Sequence, residues 1–182
     1  MTAEVTRQTA AIQAEHVLRA LENATERIGR ALTVQASVPE AAPALARDLE
    51  AAGQAHPELL ADITARSPGE PFRAYLLYAA RRLRATRLAL PQQPGQEAGE
   101  QREKQTPGLA YPGPAEFIAD LRLVQRELAR AGAARQAFGE LQHLLWQAQT
   151  FGFHLAELEI RQHSARARCR GPPGRGALGP DP

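Results

Sequence analysis

The sequence predicts a mostly α-helical fold, and two observations carry that prediction. The first is composition. Hydrophobic residues make up 43% of the 182 positions but aromatics only 5%. Alanine and leucine supply most of the apolar side chains and β-branched residues are sparse, a balance that favours helix over sheet. The second is period: apolar residues recur at helical spacings through most of the chain, and only one stretch near the C-terminus alternates as a strand does. The length suits one domain of ordinary size.

The elements follow in order. Thr2 can cap a first helix, with Glu4 well placed against the positive end of its dipole. Val5, Ile12, Leu18, Leu21, Ile28 and Leu32 then mark one apolar stripe to about Val34, and Gly29 weakens the pattern locally without stopping it. Ser37-Val38-Pro39-Glu40 has the spacing of a capping box with proline in the first turn, which predicts a helix to about Ala52 and a stop at Gly53. Pro57 to Ala65 has the length of two further turns, and Ser67-Pro68-Gly69-Glu70-Pro71 is a break. Phe72, Tyr75, Leu76, Leu83 and Leu90 mark another helix, interleaved with Arg73, Arg81, Arg82, Arg84 and Arg87. Basic residues beside tyrosines can signal an RNA-binding helix; the favoured reading is arginine stems lying along a solvated face.

Residues 91–114 change character. Prolines and glycines alternate with charges there, and such a composition buries too little apolar surface to offset its ordering entropy. The expectation is a mobile surface excursion within one domain. Ala115 to Ala131 is helical through Phe117, Ile118, Leu121, Val124 and Leu128, and Gly132 ends or bends it. Phe138, Leu141, Leu144, Leu145 and Ala148 form a last helix, with Trp146 read as a packing residue rather than a binding platform. No internal repeat is evident.

From Phe153 to Gln162 the period changes to two. Phe153, Leu155, Glu157, Glu159 and Arg161 share one parity; His154, Ala156, Leu158, Ile160 and Gln162 share the other. The first set turns polar toward its end, as a barrel strand does near a site, or as an edge strand does when one face meets water. Lifted out of a larger sheet, such a strand would offer unpaired backbone groups, so aggregation or partial disorder is expected around it. Residues 165–182 form an arginine, glycine and proline tail expected to be disordered.

Several chemistries are absent from the sequence. There is no glycine-rich phosphate loop, no paired-cysteine metal site and no serine nucleophile motif. His143, His154 and His163 match no ligand spacing, and Cys169, the only cysteine, excludes an internal disulfide. Glu157 and Glu159 could act as paired carboxylates or simply balance Arg161. No complete catalytic constellation is present. The net charge of +2 hides a basic end, where Arg161, Arg166, Arg168, Arg170 and Arg175 face only Asp181. A short arginine-rich terminus is more often solvated than bound to nucleic acid, so no nucleic-acid partner is expected. With no signal peptide and no run of about 20 apolar residues, the chain reads as soluble, without a membrane partner, and cytoplasmic.

Three stretches carry a family resemblance. Thr150-Phe-Gly-Phe-His-Leu-Ala-Glu-Leu-Glu-Ile-Arg-Gln-His-Ser164 resembles a signature of phosphoenolpyruvate carboxylase, in which a Phe-Gly helix end leads into a strand closing on Asp/Glu-x-Arg-Gln. Val-Thr-Arg-Gln at 5–8 is similar to the sequence that follows the family's Gly-Gly-Asp-Arg-Asp-Gly-Asn-Pro motif, and Pro114 to Leu121 matches a stretch between the two. The form Glu-Ile-Arg-Gln-His-Ser looks like an actinobacterial or related bacterial branch. The resemblance covers roughly residues 2–164 and implies a helical segment of an α/β-barrel (TIM-barrel-like) enzyme, with one barrel strand near the C-terminus. It further implies the joining of bicarbonate to phosphoenolpyruvate to give oxaloacetate and phosphate, with Mg²⁺ or Mn²⁺, in a homo-oligomer when full length. Arg161 aligns with an arginine that lines the phosphoenolpyruvate site, and Gln162 is its neighbouring candidate.

The family's glycine-aspartate motif, catalytic histidine, metal-binding acids and Gly-Arg-Gly-Gly loop have no counterpart in this sequence. No residue is therefore assigned as catalytic or as a metal ligand. The expectation is a truncated fragment of residues 1–164, inactive alone, whose reading frame is lost near Arg166. The competing expectation is a stand-alone helical interaction protein without catalysis.

Overall fold

A long first helix, α1 (Ala3–Ala31), lies along α4 (Pro71–Leu88), and the other elements are arranged about that pair. The computed structural model describes residues 3–33, 42–90 and 106–154. Within them follow α2 (Pro43–Ala55), α3 (Pro57–Ala65), α5 (Pro114–Arg130), the single turn α6 (Ala134–Ala137) and α7 (Glu140–Phe151). The described residues are mostly helical and contain no strand.

Each helix is amphipathic, and the apolar stripes meet in one core. Leu18, Leu21 and Ile28 of α1 join Phe72, Leu76 and Leu83 of α4, Phe117, Leu121 and Leu128 of α5, and Leu141 and Leu144 of α7. A smaller cluster of Leu60, Ile63, Ala74, Tyr78 and Leu109 seals α3 against the outer side of α4. Gly29 has a positive reason to be in α1. A Cβ there would lie 3.2 Å from the Leu76 Cβ, so the glycine lets α1 and α4 approach closely at this point.

Several boundaries differ from the sequence expectation for local reasons. The capping box at Ser37–Glu40 lies outside the described residues; the observed α2 begins at Pro43, with Ala42 as N-cap and no side-chain cap. Gly53 does not stop α2. It faces Leu60 Cδ2, 3.1 Å from where its Cβ would be, and leaves room for α3 to fold back. The helix ends instead at Ala55, because His56 precedes Pro57 and is forced out of the helical region (φ −138°, ψ 64°). Gly132 (φ +78°) terminates α5 as expected. The last helix does not start at Phe138. A turn intervenes at Gly139, where a Cβ would stand 2.8 Å from the Arg135 carbonyl oxygen, and α7 begins after it.

Two further expectations are corrected by packing. Residues 106–113 are not a loose end of the expected mobile excursion, because Leu109 and Tyr111 are buried between helices. Trp146, expected to pack, is 56% exposed, since α7 turns Leu141, Leu144, Leu145 and Ala148 inward and leaves the tryptophan on the opposite side. Phe138 is likewise exposed. The expected strand lies outside the described residues except for Phe153 and His154. Phe153 occupies a turn and is buried. No described helix is long and apolar enough to cross a membrane.

Candidate functional site

α4 presents Tyr75, Arg82 and Thr86 on one side, because seven and then four residues return the helix to nearly the same face. Opposite them, Asp120 sits on α5 between Phe117 and Val124, three residues after one and four before the other, on the stripe that faces the core. Residues 106–113 cross the seam between the two helices and bring in Tyr111 and the carbonyl of Leu109.

The polar groups meet at Asp120. Tyr111 donates its hydroxyl to Asp120 Oδ2 at 2.6 Å, Tyr75 donates to Oδ1 at 3.0 Å, and Arg82 donates to Oδ2 at 3.1 Å. Arg82 also donates through Nε to the Leu109 carbonyl at 3.2 Å, and its guanidinium lies 3.8 Å from the centre of the Tyr111 ring. The backbone N–H of Tyr111 donates to Thr86 Oγ at 2.8 Å, and that hydroxyl donates to the Arg82 carbonyl at 2.9 Å. The crossing segment is thus tied to α4 through backbone and side chain together. Burial pushes the Asp120 carboxyl upward, opposed by the Tyr111 hydrogen bond, by Arg82 and by Tyr75. Burial, reinforced by the Asp120 charge, raises both Tyr75 and Tyr111 above the ordinary 10.0. Three of the five interleaved arginines are half-buried and paired rather than simply solvated: Arg82 serves this network, Arg87 pairs with Glu22 at 3.0 Å, and Arg73 pairs with Glu70 at 2.9 Å.

The network stands at the root of the C-terminal stretch. α7 closes at Gly152, whose positive φ of +54° turns the chain and whose Cα side abuts Pro114 of α5. Phe153 then drops onto the aromatic pair Tyr111 and Phe117, with ring centres 6.5 and 6.4 Å away, while those two rings meet edge to face at 5.5 Å. His154 donates its N–H to the Phe151 carbonyl at 3.0 Å.

The residues expected from sequence to touch substrate, Arg161 and Gln162, lie outside the described residues, as do Glu157, Glu159, His163 and Cys169. Of the three histidines, His143 is exposed on α7 beside Trp146, with ring centres 5.6 Å apart, and His154 follows Phe153. Among the described residues no three His, Cys, Asp or Glu side chains converge to hold a metal ion. The described part therefore offers no donor set for Mg²⁺ or Mn²⁺. Sequence reasoning missed the Asp120 network. The available signal was an acid on the apolar stripe of α5, within the Pro114–Leu121 stretch already singled out.

A model of the family described as phosphoenolpyruvate carboxylase matches residues 1–169. The chain belongs to the phosphoenolpyruvate carboxylase family. It is 32% identical over 169 residues to the phosphoenolpyruvate carboxylase of Synechococcus sp., covering 91% of this chain and 16% of that protein. It is 35% identical over 164 residues to that of Thermosynechococcus vestitus, covering 88% of this chain and 16% of the relative. Against that of Azorhizobium caulinodans it is 32% identical over 164 residues, covering 90% and 16% respectively. The chain thus spans about 16% of the length of these curated relatives of the carboxylase family. No solved structure matches it.

Proposed function

We propose that this chain forms one wall of the phosphoenolpyruvate site of a carbon–carbon lyase that joins phosphoenolpyruvate and bicarbonate into oxaloacetate and phosphate. The observation that carries the reading is the family match over residues 1–169, which includes Arg161 and Gln162. Arg161 grips the phosphate or carboxylate of the substrate through a planar, permanently charged donor fork, and Gln162 stands beside it. The same charge stabilises negative charge as it moves between phosphate and enolate. The family match runs to residue 169, five residues past the 1–164 unit expected from the sequence, and leaves 170–182 outside it. Residues 106–113, the described end of the 91–114 stretch, are tied down at Tyr111. The wider reading places the unit in an α/β-barrel within a cytoplasmic homo-oligomer that uses Mg²⁺ or Mn²⁺ held elsewhere, and assigns Glu-Ile-Arg-Gln-His-Ser to an actinobacterial-like branch.

The chain by itself lacks the partners of Arg161, so it is expected to be inactive alone. A coupled oxaloacetate assay on the purified chain checks this, and turnover would refute the claim of inactivity. Calorimetric titration with phosphoenolpyruvate tests the residue assignment. Binding is expected to be weak and salt-sensitive, and lost in Arg161→Ala. Equal affinity in that variant would sink the role given to Arg161. A second reading, a helical interaction protein without catalysis, has one observation in its favour: Phe138 before α7 and Trp146 and Phe151 along it are each exposed.

A further inference from the structure

With Arg73, Arg82 and Arg87 held by carboxylates, Arg81 and Arg84 are left over from the five arginines of α4. Among the described residues these two make no ion pair or hydrogen bond, yet they do not stand on open surface. Arg73, Leu77, Arg81 and Arg84 recur at intervals of four, four and three residues, so they share one stripe of α4. That stripe faces Glu22, Glu26 and Arg30, spaced four apart along α1, and Asp62, Arg66 and Ser67 on and just after α3. The three walls enclose a cleft of about 180 Å³.

The cleft carries an excess of positive charge. Five arginines and three carboxylates line it, and the carboxylates are all committed: Glu22 to Arg87, Glu26 to Arg30 and Asp62 to Arg66. The last two are pairs between neighbouring turns of one helix, with each arginine about two-thirds exposed. Such pairs contribute little, so Arg30 and Arg66 are free to turn toward a stronger acceptor. A second observation is independent of the charges. Ser67 is 3% exposed, and its hydroxyl has no hydrogen-bond partner among the described residues. A buried hydroxyl in that condition is uncommon because it costs free energy, and this one lines the cleft that holds the two unpaired arginines.

We propose that the cleft between α1, α3 and α4 binds a small phosphate-bearing anion, gripped by Arg81 and Arg84 with Arg30, Arg66 and the Ser67 hydroxyl as further donors. Guanidinium forks meet phosphate through paired N–H···O bonds, and the remaining phosphate oxygens accept from a hydroxyl. A nucleic-acid backbone calls for positive charge spread along one face; here the charge converges from three helices on one cleft. The proposal does not depend on the role given above to Arg161.

The test is titration of the full chain with sodium phosphate, against sodium chloride at equal ionic strength, followed by calorimetry and by backbone amide shifts at 66–67 and 81–84. Phosphate is expected to move those amides where chloride does not. Replacing both arginines, Arg81→Gln with Arg84→Gln, is expected to weaken phosphate binding about tenfold or more, and Ser67→Ala about threefold. Removing the same charge from α5, where Arg122 and Arg126 are exposed, is expected to leave the affinity within about twofold when both become Gln. Should the first double variant lose its helical circular dichroism, Arg84→Gln alone, at its exposed position, is expected to weaken binding about threefold. Arg161→Ala is expected to keep the phosphate-induced shifts, and their loss in that variant would overturn the proposal. So would equal weakening in the two double variants, or a response to phosphate no larger than that to chloride. Vesicles containing phosphatidic acid and a short oligoribonucleotide complete the comparison. If either binds through Arg81 and Arg84 while soluble phosphate does not, the small-anion assignment fails.

Discussion

Asp120 shows how much context a single acidic residue needs inside a helical core. A buried carboxylate without partners costs several kcal/mol in effective terms, and here three donors, one of them the Arg82 cation, offset it. The two tyrosines that donate to it have their own pH consequence. Burial, reinforced by the Asp120 charge, raises both above the ordinary 10.0, so the folded chain keeps protons that the unfolded chain loses. Their contribution to stability is therefore fully present below pH of about 10 and is lost as pH rises above it. The melting temperature is expected to fall steeply between about pH 9.5 and 11, with a shallower fall in the Tyr75→Phe, Tyr111→Phe double variant. Parallel slopes in the two proteins would show that other groups control alkaline unfolding. Asp120 adds an acid-side term of the same sign. Its folded-state carboxyl is raised above 3.8, so its contribution declines as pH climbs through that window.

The helices are arranged by close contacts at glycines more than by their caps. None of α2 to α7 has a side-chain cap hydrogen bond, and four of these six helices begin with proline, whose missing N–H is harmless in the first turn. Their ends are set by the local backbone, as at His56 before Pro57 and at Gly132, while glycines set how closely neighbouring elements approach. In α1, Gly29 meets Leu76 so closely that an alanine there must push the two helices apart. Alanine would gain up to about 1 kcal/mol of helix propensity, but overpacking typically costs 1–3 kcal/mol. Gly29→Ala is thus expected to lower stability by roughly 1 kcal/mol in urea denaturation; a gain would show that α1 can slide on α4. Gly139 is less forgiving. Its added Cβ would stand 2.8 Å from a backbone oxygen, which cannot rotate away as a side chain can. Gly139→Ala should shift the α6–α7 turn and destabilise by about 1–3 kcal/mol, measured by the same denaturation.

Among the described residues the principal core runs through six helices, the crossing segment and Phe153, so a cut at its centre should be felt everywhere. Phe117 is fully buried and its ring meets those of both Tyr111 and Phe153. Phe117→Ala is expected to cost about 3–5 kcal/mol, against less than about 0.5 kcal/mol for Trp146→Ala at its exposed position. Thermal melts followed by circular dichroism compare the two directly. A costly Trp146→Ala would mean that the tryptophan is covered in solution. Surface ion pairs such as Arg27–Glu140, more than half exposed on both sides, are not expected to alter that ranking.

How much could be read in advance follows from these particulars. The helix-rich class, the stripes of α1, α4, α5 and α7, and the break at Ser67–Pro71 were legible because period and breakers are local properties. So was the family, because Thr150–Ser164 and Pro114–Leu121 are continuous stretches whose order in the chain carries the resemblance. Arg161 and Gln162 were named from that resemblance, and their surroundings lie outside the described residues. What only the tertiary structure decided is which of several equivalent side chains meets a partner far away in sequence. Five arginines interleave α4, yet Arg82 alone reaches Asp120, 38 residues on, because helix packing turns its face toward α5. Residues 106–113 have the composition of a loop, yet Tyr111 finds a carboxylate and two aromatic rings and becomes core. Composition sets the average cost of ordering a segment. Long-range contacts, which no local pattern records, decide whether that cost is met.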